Sequence, residues 1–507
     1  APGGQVCGGA HGDAAGGEPA ATAPKGGDRP QATPEEIRRL AFACAAGCDP
    51  REPELERSLA PFAEWGRNTS GLEMLELVWG FCEATRSCRD PFVVVVLWRG
   101  DIYVRSCGTK DLRDASLYLI GPEDLSLVLL LLRAVLRAAA LPPGPVAFGM
   151  YLSDYTCLVD RHLVGPGVPI FAYLGRQTSW AIPWPSSFTV HSTQQLEARH
   201  AASATPARGG EGAPPGGGAA AGAGGPVARP WAARAPVAYW IGAVTGPWEL
   251  AVDPALGALP RLRLLRLAAE HPEALRAEWS GVASYGLGWV RPRERLEGLL
   301  ANGSRTVAEL TGVRRAGFRP PEQWDAFKYY VNLDGVVMGG RLNKLMGLGG
   351  VVLQHSAGYF EHIDALAKPY VHYVPVAYDL SDLVPKVRWL QRHDAEAERI
   401  AARARTLARE RMRLEDHLCY AWRALEALGS RTARGRADAA AVAERLDALH
   451  FRRVPTAEAD MRRMLEAFWE ARLEDVATGD RIMTQGGIRL LQWAWDRLSG
   501  LERLARG

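Results

Sequence analysis

Hydrophobic positions along this chain fall into two blocks of strand-like runs separated by helical ones. In the first, the unbroken apolar run Phe92 to Trp98 is followed, after Arg99-Gly100, by the alternating Asp101-Ile-Tyr-Val-Arg105. That pattern predicts a β-hairpin. Leu125 to Ala140 is the most apolar stretch, but Arg133 and Arg137 interrupt it. It falls short of the roughly 20 residues of a membrane span, so a core helix is expected. Pro145 to Tyr151 predicts a strand that delivers Ser153-Asp154-Tyr155 at its carboxyl end, with short apolar runs at Val168–Tyr173 and Ala181–Pro185 beyond it. The second block opens with a strand at Pro236–Trp240 running into Ile241-Gly242-Ala243-Val244-Thr245-Gly246. It continues with Tyr329–Val331, which ends in Asn332-Leu333-Asp334-Gly335. Val336–Leu348 has helical length, and Val351–Leu353 and Val371–Val374 read as further buried strands. Strands alternating with helices predict a parallel, doubly wound sheet that binds ligands beyond its carboxyl ends. Further on, a helix over Ser381–Leu390 and a single longer one from Asp394 to about Leu428 are expected, the latter with an apolar stripe through Ile400, Ala404, Leu407, Leu414, Leu418 and Leu425. Helices at Met461–Ala471 and Ile482–Leu504 follow, with Trp493 and Trp495 as packing anchors.

Composition changes this picture in three ways. The 507 residues suffice for two or more domains with proper cores. Sixty basic residues against 57 acidic ones, a net charge of +3, exclude a nucleic-acid-binding reading, since no long basic run appears. Gly, Ala and Pro dominate Ala1–Thr33 and Ala201–Ala233, which cannot bury enough apolar surface to offset ordering entropy. The expected division is therefore a disordered segment at 1–33, an N-terminal domain at 34–200, a flexible insertion at 201–233, a second domain at 234–429 and a helical tail at 430–507. Eight cysteines lack the paired spacing with nearby histidines of a zinc site, leaving disulfides or buried thiols.

The candidate chemistry lies between Asp334 and Arg341. Gly335, Gly339 and Gly340 let a ligand approach the backbone, free N–H groups at a helix start favour a diphosphate, and Arg341 adds a forked cationic donor. Around it, Lys328–Gly335, Arg341–Leu345, Lys368–Val376 and Asp379–Leu383, then His393-Asp394, Ala397, Ile400-Ala401 and Glu415-Asp416 through Cys419-Tyr420, occur in one order over about a hundred residues. This run resembles glycosyltransferase family 90, which includes the protein O-glucosyltransferases, their KDEL-containing relatives and fungal capsule-associated proteins.

The resemblance implies an α/β fold with two Rossmann-like domains facing a cleft, the GT-B type, plus the helical C-terminal tail. It implies an inverting, metal-independent transfer of glucose or xylose from a UDP-sugar to a hydroxyl of a protein or glycan acceptor. No cofactor or metal is expected, and the chain has no Asp-x-Asp motif. Asp154 corresponds to the family's catalytic base, against a turn or capping aspartate as the plain alternative. Gly242, Thr245, Arg261, Asp334, Gly335, Gly339, Arg341, Ser356 and Glu361 are the expected donor-binding set. Ser356 and Glu361 would face ribose or sugar hydroxyls, unless Glu361 only caps a helix, and Arg261 is as well explained as a solvated helix residue. Three positions depart from the family: Ile241 replaces an arginine that contacts the diphosphate, Gly339 stands where serine is common, and Ala181 replaces an acidic residue. Those departures support the alternative of a catalytically lapsed member that binds sugar nucleotide or glycan without turnover. A third reading makes the C-terminal helices an interaction module. The resemblance also ties Cys419 to Cys44 or Cys48 and leaves Cys82–Cys88 as a local bridge. Together with sequons at Asn68 and Asn302, it places the protein in the lumen of the endoplasmic reticulum or Golgi, with no membrane span.

Overall fold

The computed structural model describes residues 52–60, 70–84, 92–107, 122–138, 144–152, 168–176, 181–204, 229–244, 259–282, 307–309, 311–313, 315–317, 319, 321–335, 338–355, 358–432, 438–475 and 487–499. In the first half, α1 (Glu52–Leu59) and α2 (Gly71–Ala84) precede the hairpin of β1 (Phe92–Trp98) and β2 (Asp101–Ser106). Then come α3 (Pro122–Ala138), β3 (Val146–Tyr151), β4 (Ile170–Ala172), β5 (Gly175–Arg176), β6 (Ile182–Pro183) and α4 (Ser187–Ala204). At the hairpin turn Arg99 and Gly100 take φ of 51° and 79°, as a two-residue turn that matches strand twist requires. All seven β1 residues are buried. The reason is two-sided cover: Val93, Val95 and Leu97 share a core with α3, whereas Val94 and Val96 meet Met74 and Val78 of α2. A strand buried on both faces reads as a continuous apolar run.

In the second half, β7 (Ala235–Val244), α5 (Pro260–Glu270), β8 (Leu275–Val282), β9 (Phe327–Asn332), α6 (Leu342–Gly347), β10 (Val351–His355), β11 (Tyr359–Phe360) and β12 (Tyr373–Val376) follow in order. Five of these strands form a sheet in the order β12-β10-β9-β7-β8, and every neighbouring pair is parallel. The order reverses between β7 and β9, so the sheet has its topological switch point there, with a crevice beyond the carboxyl ends of those two strands. Alternation along the strands feeds two cores, Trp240, Tyr329 and Val331 on one face and Tyr239, Ile241 and Tyr330 on the other.

The remaining helices connect the halves. α7 (Leu383–Arg392) and α8 (Asp394–Arg411) pack on the second sheet, whereas α9 (Leu414–Thr432) packs on the first. The single helix expected from Asp394 to about Leu428 is thus two. At the break the Thr193 hydroxyl donates to the Met412 carbonyl at 2.9 Å, and Asp416 accepts the Arg413 N–H at 3.0 Å, which caps a new helix. Beyond it, α10 (Ala439–Ala448), β13 (Arg452–Val454), α11 (Glu458–Asp475) and α12 (487–499) return to the first half. β13 pairs antiparallel with β2, and Met461, Leu465, Leu490, Trp495 and Leu498 are buried against the α3 side of the first sheet. Arg133, 2% exposed within apolar α3, is satisfied by this segment: it donates to the Thr456 carbonyl at 3.0 Å and stacks on Trp495 at 5.2 Å. The expected Cys82–Cys88 bridge is corrected. Cys82 bonds Cys107, because the end of β2 brings their Cα atoms to 5.4 Å. Cys419 is also disulfide-bonded, and the expected partners Cys44 and Cys48 lie outside the described residues. Among the described residues no helix is long and apolar enough to cross a membrane.

Candidate functional site

The switch point is laced together by side chains. Arg261, in the first turn of α5, donates to the carbonyls of Ala243 (2.7 Å), Asp334 (3.1 Å) and Leu333 (3.3 Å), tying the end of β7 to the loop after β9. Asp334 is 4% exposed, and its Oδ1 accepts the Gly339 N–H at 3.0 Å while Oδ2 lies 3.0 Å from His355 Nδ1. His355 Nε2 in turn lies 3.0 Å from the Tyr378 carbonyl. Asn332 Nδ2 donates to the Gly339 carbonyl at 3.1 Å and to Gln354 at 2.8 Å. With the backbone groups of Gly339 taken by side chains, the helix expected from Val336 begins only at Leu342. A Cβ on Gly339 would stand 2.8 Å from Asn332 Oδ1 and 3.0 Å from the Leu333 carbonyl, so this close approach requires glycine.

Arg341 closes the same loop against the other strand. Its Nη1 donates to the Ile241 carbonyl at 3.0 Å, and its guanidinium lies 5.3 Å from the Trp324 ring. Part of the residue touches solvent, yet burial pushes the guanidinium well below its usual range, to about 10. Among the described residues it has no carboxylate partner, and a buried cation without one is unfavourable until an anion arrives. Beside it opens a cavity of about 290 Å³. Its cations are Arg319, Arg341 and Lys344, and its apolar wall includes Ile241, Trp324 and Leu345. Gly242 and Ser280 line it from the carboxyl halves of β7 and β8, and among the described residues no Asp or Glu does. Arg319 is braced from behind by Glu278, which also accepts from Arg276 Nε (3.1 Å) and Nη2 (2.8 Å). Burial alone would raise the Glu278 carboxyl, but the hydrogen bonds from Arg319 and Arg276 hold it below the usual range. Net positive charge over an apolar floor suits an anionic ligand with a flat or apolar body.

Glu361 lies elsewhere. It is 2% exposed, and its Oε1 accepts hydroxyl hydrogens from Thr189 and, at 3.3 Å, from Ser186, both at the start of α4. Next to it β11 pairs antiparallel with β5, and Gly175 permits that contact because a Cβ there would meet the Phe360 ring at 2.4 Å. His362 Nε2 lies 2.9 Å from His417 Nδ1, whose ring partner on the other side is the Thr193 hydroxyl at 3.0 Å. Glu361 therefore belongs to a buried polar joint between the strand-end loops of the two sheets.

Of the expected set, Gly242 and Arg341 come together at the cavity. Arg261, Asp334 and Gly339 tie down the loop that carries Arg341, Gly335 follows Asp334 in that loop, and Asp154, Thr245 and Ser356 lie outside the described residues. Arg319, Trp324 and Ser280 escaped the sequence reading. Lys344 was within reach, since it stands three residues after Arg341 on the same turn of α6. Among the described residues no cluster of three His, Cys, Asp or Glu side chains is placed to hold a metal ion.

Residues 223–434 match the family model described as glycosyl transferase family 90. The chain is similar to protein O-glucosyltransferase 3 of Mus musculus, 32% identical over 173 residues that cover 34% of this chain and 30% of that protein. It is also similar to protein O-glucosyltransferase 2 of Danio rerio, 39% identical over 94 residues covering 18% of this chain and 19% of that protein. With protein O-glucosyltransferase 1 of Homo sapiens it shares 31% over 94 residues, covering 18% and 24% respectively. The matched stretch spans less than a third of these relatives' own length. Residues 223–434, matched by the family model, contain the switch point, the loop after β9 and the Arg341 side of the cavity.

Proposed function

Residues 223–434 belong to glycosyltransferase family 90, and from that premise we propose that the protein transfers a sugar from a UDP-sugar to a hydroxyl of a protein or glycan acceptor. The observation that carries the proposal is Arg341: a partly buried guanidinium without a carboxylate partner among the described residues, at the switch point of a doubly wound sheet, beside a cavity lined by cations. A nucleoside diphosphate supplies the missing anion. In this reading the second sheet holds the donor and the first sheet faces it across a GT-B cleft. Support comes from the β5–β11 pairing and the Glu361 joint, which bring the strand-end loops of both sheets against each other.

Asp154, two residues after the last described residue beyond β3, is the proposed base. Its carboxylate takes the proton of the acceptor hydroxyl as that oxygen attacks the anomeric carbon. The bond from that carbon to the diphosphate oxygen breaks, its electron pair leaves with UDP, and configuration inverts. A placed base contributes roughly 10² to 10⁴ in rate. Charge developing on the leaving diphosphate is met by fixed cations of the cavity rather than by a bound metal. Glucose and xylose are the candidate sugars. The disulfide-bonded cysteines and the two sequons support a secretory-pathway lumen as the site of action. The test is release or transfer of labelled sugar from UDP-glucose and UDP-xylose by the full chain. Turnover lost in Asp154→Asn with UDP binding kept is the expected result. UDP binding without any sugar release, unchanged in Asp154→Asn, would instead identify a lapsed, sugar-nucleotide-binding member.

A further inference from the structure

Two arginines line the cavity together with one indole. Trp324 lies under the Arg341 guanidinium at 5.3 Å, and its Nε1 donates to the backbone carbonyl of Arg319 at 3.3 Å, so one ring touches the side chain of the first arginine and the backbone of the second. The indole is itself wedged edge-on against Tyr239 at 5.4 Å, and the Tyr239 hydroxyl donates to Glu278 at 3.3 Å. Glu278 closes the circuit by accepting from Arg319 Nε. Arg319 is 39% exposed while its brace Glu278 is only 12% exposed, so the arginine is held from inside the fold. Glu278 carries one negative charge but serves two arginines, Arg276 and Arg319. The local sum remains positive before Arg341 and Lys344 are counted.

We propose that Arg319 is a second anion-contacting guanidinium of this cavity, that it and Arg341 hold one diphosphate between them, and that Glu278 is the positioning residue that aims it. The inference rests on the nucleotide reading given above and assigns within it a residue outside the motifs of the 328–420 region. Two guanidinium forks lining one cavity suit a pair of linked phosphates better than a single one, because each presents several donors in a rigid plane. Ile241 lines the same cavity with an apolar side chain, so a cation introduced there lies within reach of the same anion.

Isothermal titration of the full chain with UDP and with uridine tests this. Arg319→Ala should weaken UDP binding roughly tenfold or more, the scale of one hydrogen bond to a charged group, and leave uridine binding within about twofold. Arg319→Lys should recover part of the loss. Glu278→Gln should weaken UDP by a few fold without touching uridine, and Ile241→Arg in the Arg319→Ala background should restore much of the affinity. If Arg319→Ala does not fold, Arg319→Gln carries the same expectation. Equal UDP affinity in wild type and the Arg319 variant overturns this inference alone. A wild-type chain that binds no UDP overturns the nucleotide reading with it.

Discussion

Replacing Gly339 by serine separates what the structure implies from what resemblance implies. The resemblance implies a serine at this position, so from it alone Gly339→Ser would be expected to add a hydroxyl donor and tighten donor binding. The geometry gives the opposite sign. The new Cβ would lie 2.8 Å from Asn332 Oδ1, 3.0 Å from the Leu333 carbonyl oxygen and 3.4 Å from its carbon. Neither neighbour yields easily: the Asn332 amide is pinned by Gln354 at 2.8 Å, and the Leu333 carbonyl accepts from Arg261 at 3.3 Å. Relief requires the loop to move, at a cost of about 1–3 kcal/mol for overpacking. Weakening the Gly339 N–H bond to Asp334 adds about 1 kcal/mol. For a unit the size of one sheet and its helices this lowers the melting temperature by roughly 2 to 4 °C per kcal/mol. Because the loop carries Arg341, UDP affinity should fall with it. Circular-dichroism melts and UDP titration on the same preparation check both effects. A Gly339→Ser protein that melts at or above wild type and binds UDP more tightly would refute the packing argument.

Three further outcomes follow from the same structure. Burial disfavours the charged form of Arg341, so the group lowers folding stability at every pH below about 10, a penalty that fades as pH rises through that value. At about 1.4 kcal/mol per unit, offset by the bond to the Ile241 carbonyl and the Trp324 contact, Arg341→Met should leave stability at pH 7 unchanged or slightly raised in urea denaturation while cutting UDP affinity at least tenfold. Replacing both Cys82 and Cys107, which close a loop with a sequence separation of 25, should cost about 2–4 kcal/mol, read as a lower urea midpoint. Deleting 438–507 should abolish soluble folding rather than selectively remove a partner function, because Met461, Trp495 and Leu498 complete the first core and β13 covers the β2 edge. Soluble expression and gel filtration would show it, and a monodisperse truncated protein would contradict it.

Much of the fold was legible because local patterning agreed with burial. The unbroken β1 run, the Arg99-Gly100 turn and the parallel alternation of the second block could be read directly. What escaped depends on partners distant in sequence. β13 reads as Arg452-Arg453-Val454, with no strand signal of its own, and exists because β2 offers a free edge. The break at Met412 is held by Thr193 from another helix. Glycines at 339 and 340 suggested a helix start, yet Asp334 and Asn332 claim the Gly339 backbone and delay it. At the site, Gly242 and Arg341 sit inside recognisable motifs. Arg319 and Trp324 lie where the sequence shows no strand or helix periodicity, Trp324 in a short 3₁₀ turn over Pro321–Ala326, and the packing of Tyr239 and Glu278 places them. Glu361 was assigned to a ligand or a cap because sequence cannot reveal that Ser186 and Thr189 stand opposite it.

The account turns on where a nucleotide binds, and a crystal structure of the full chain with UDP tests that most directly. It predicts the diphosphate within hydrogen-bonding distance of Arg341, beyond the carboxyl ends of β7 and β9. UDP bound with its phosphates away from that cavity, leaving Arg341 without an anion, would contradict it.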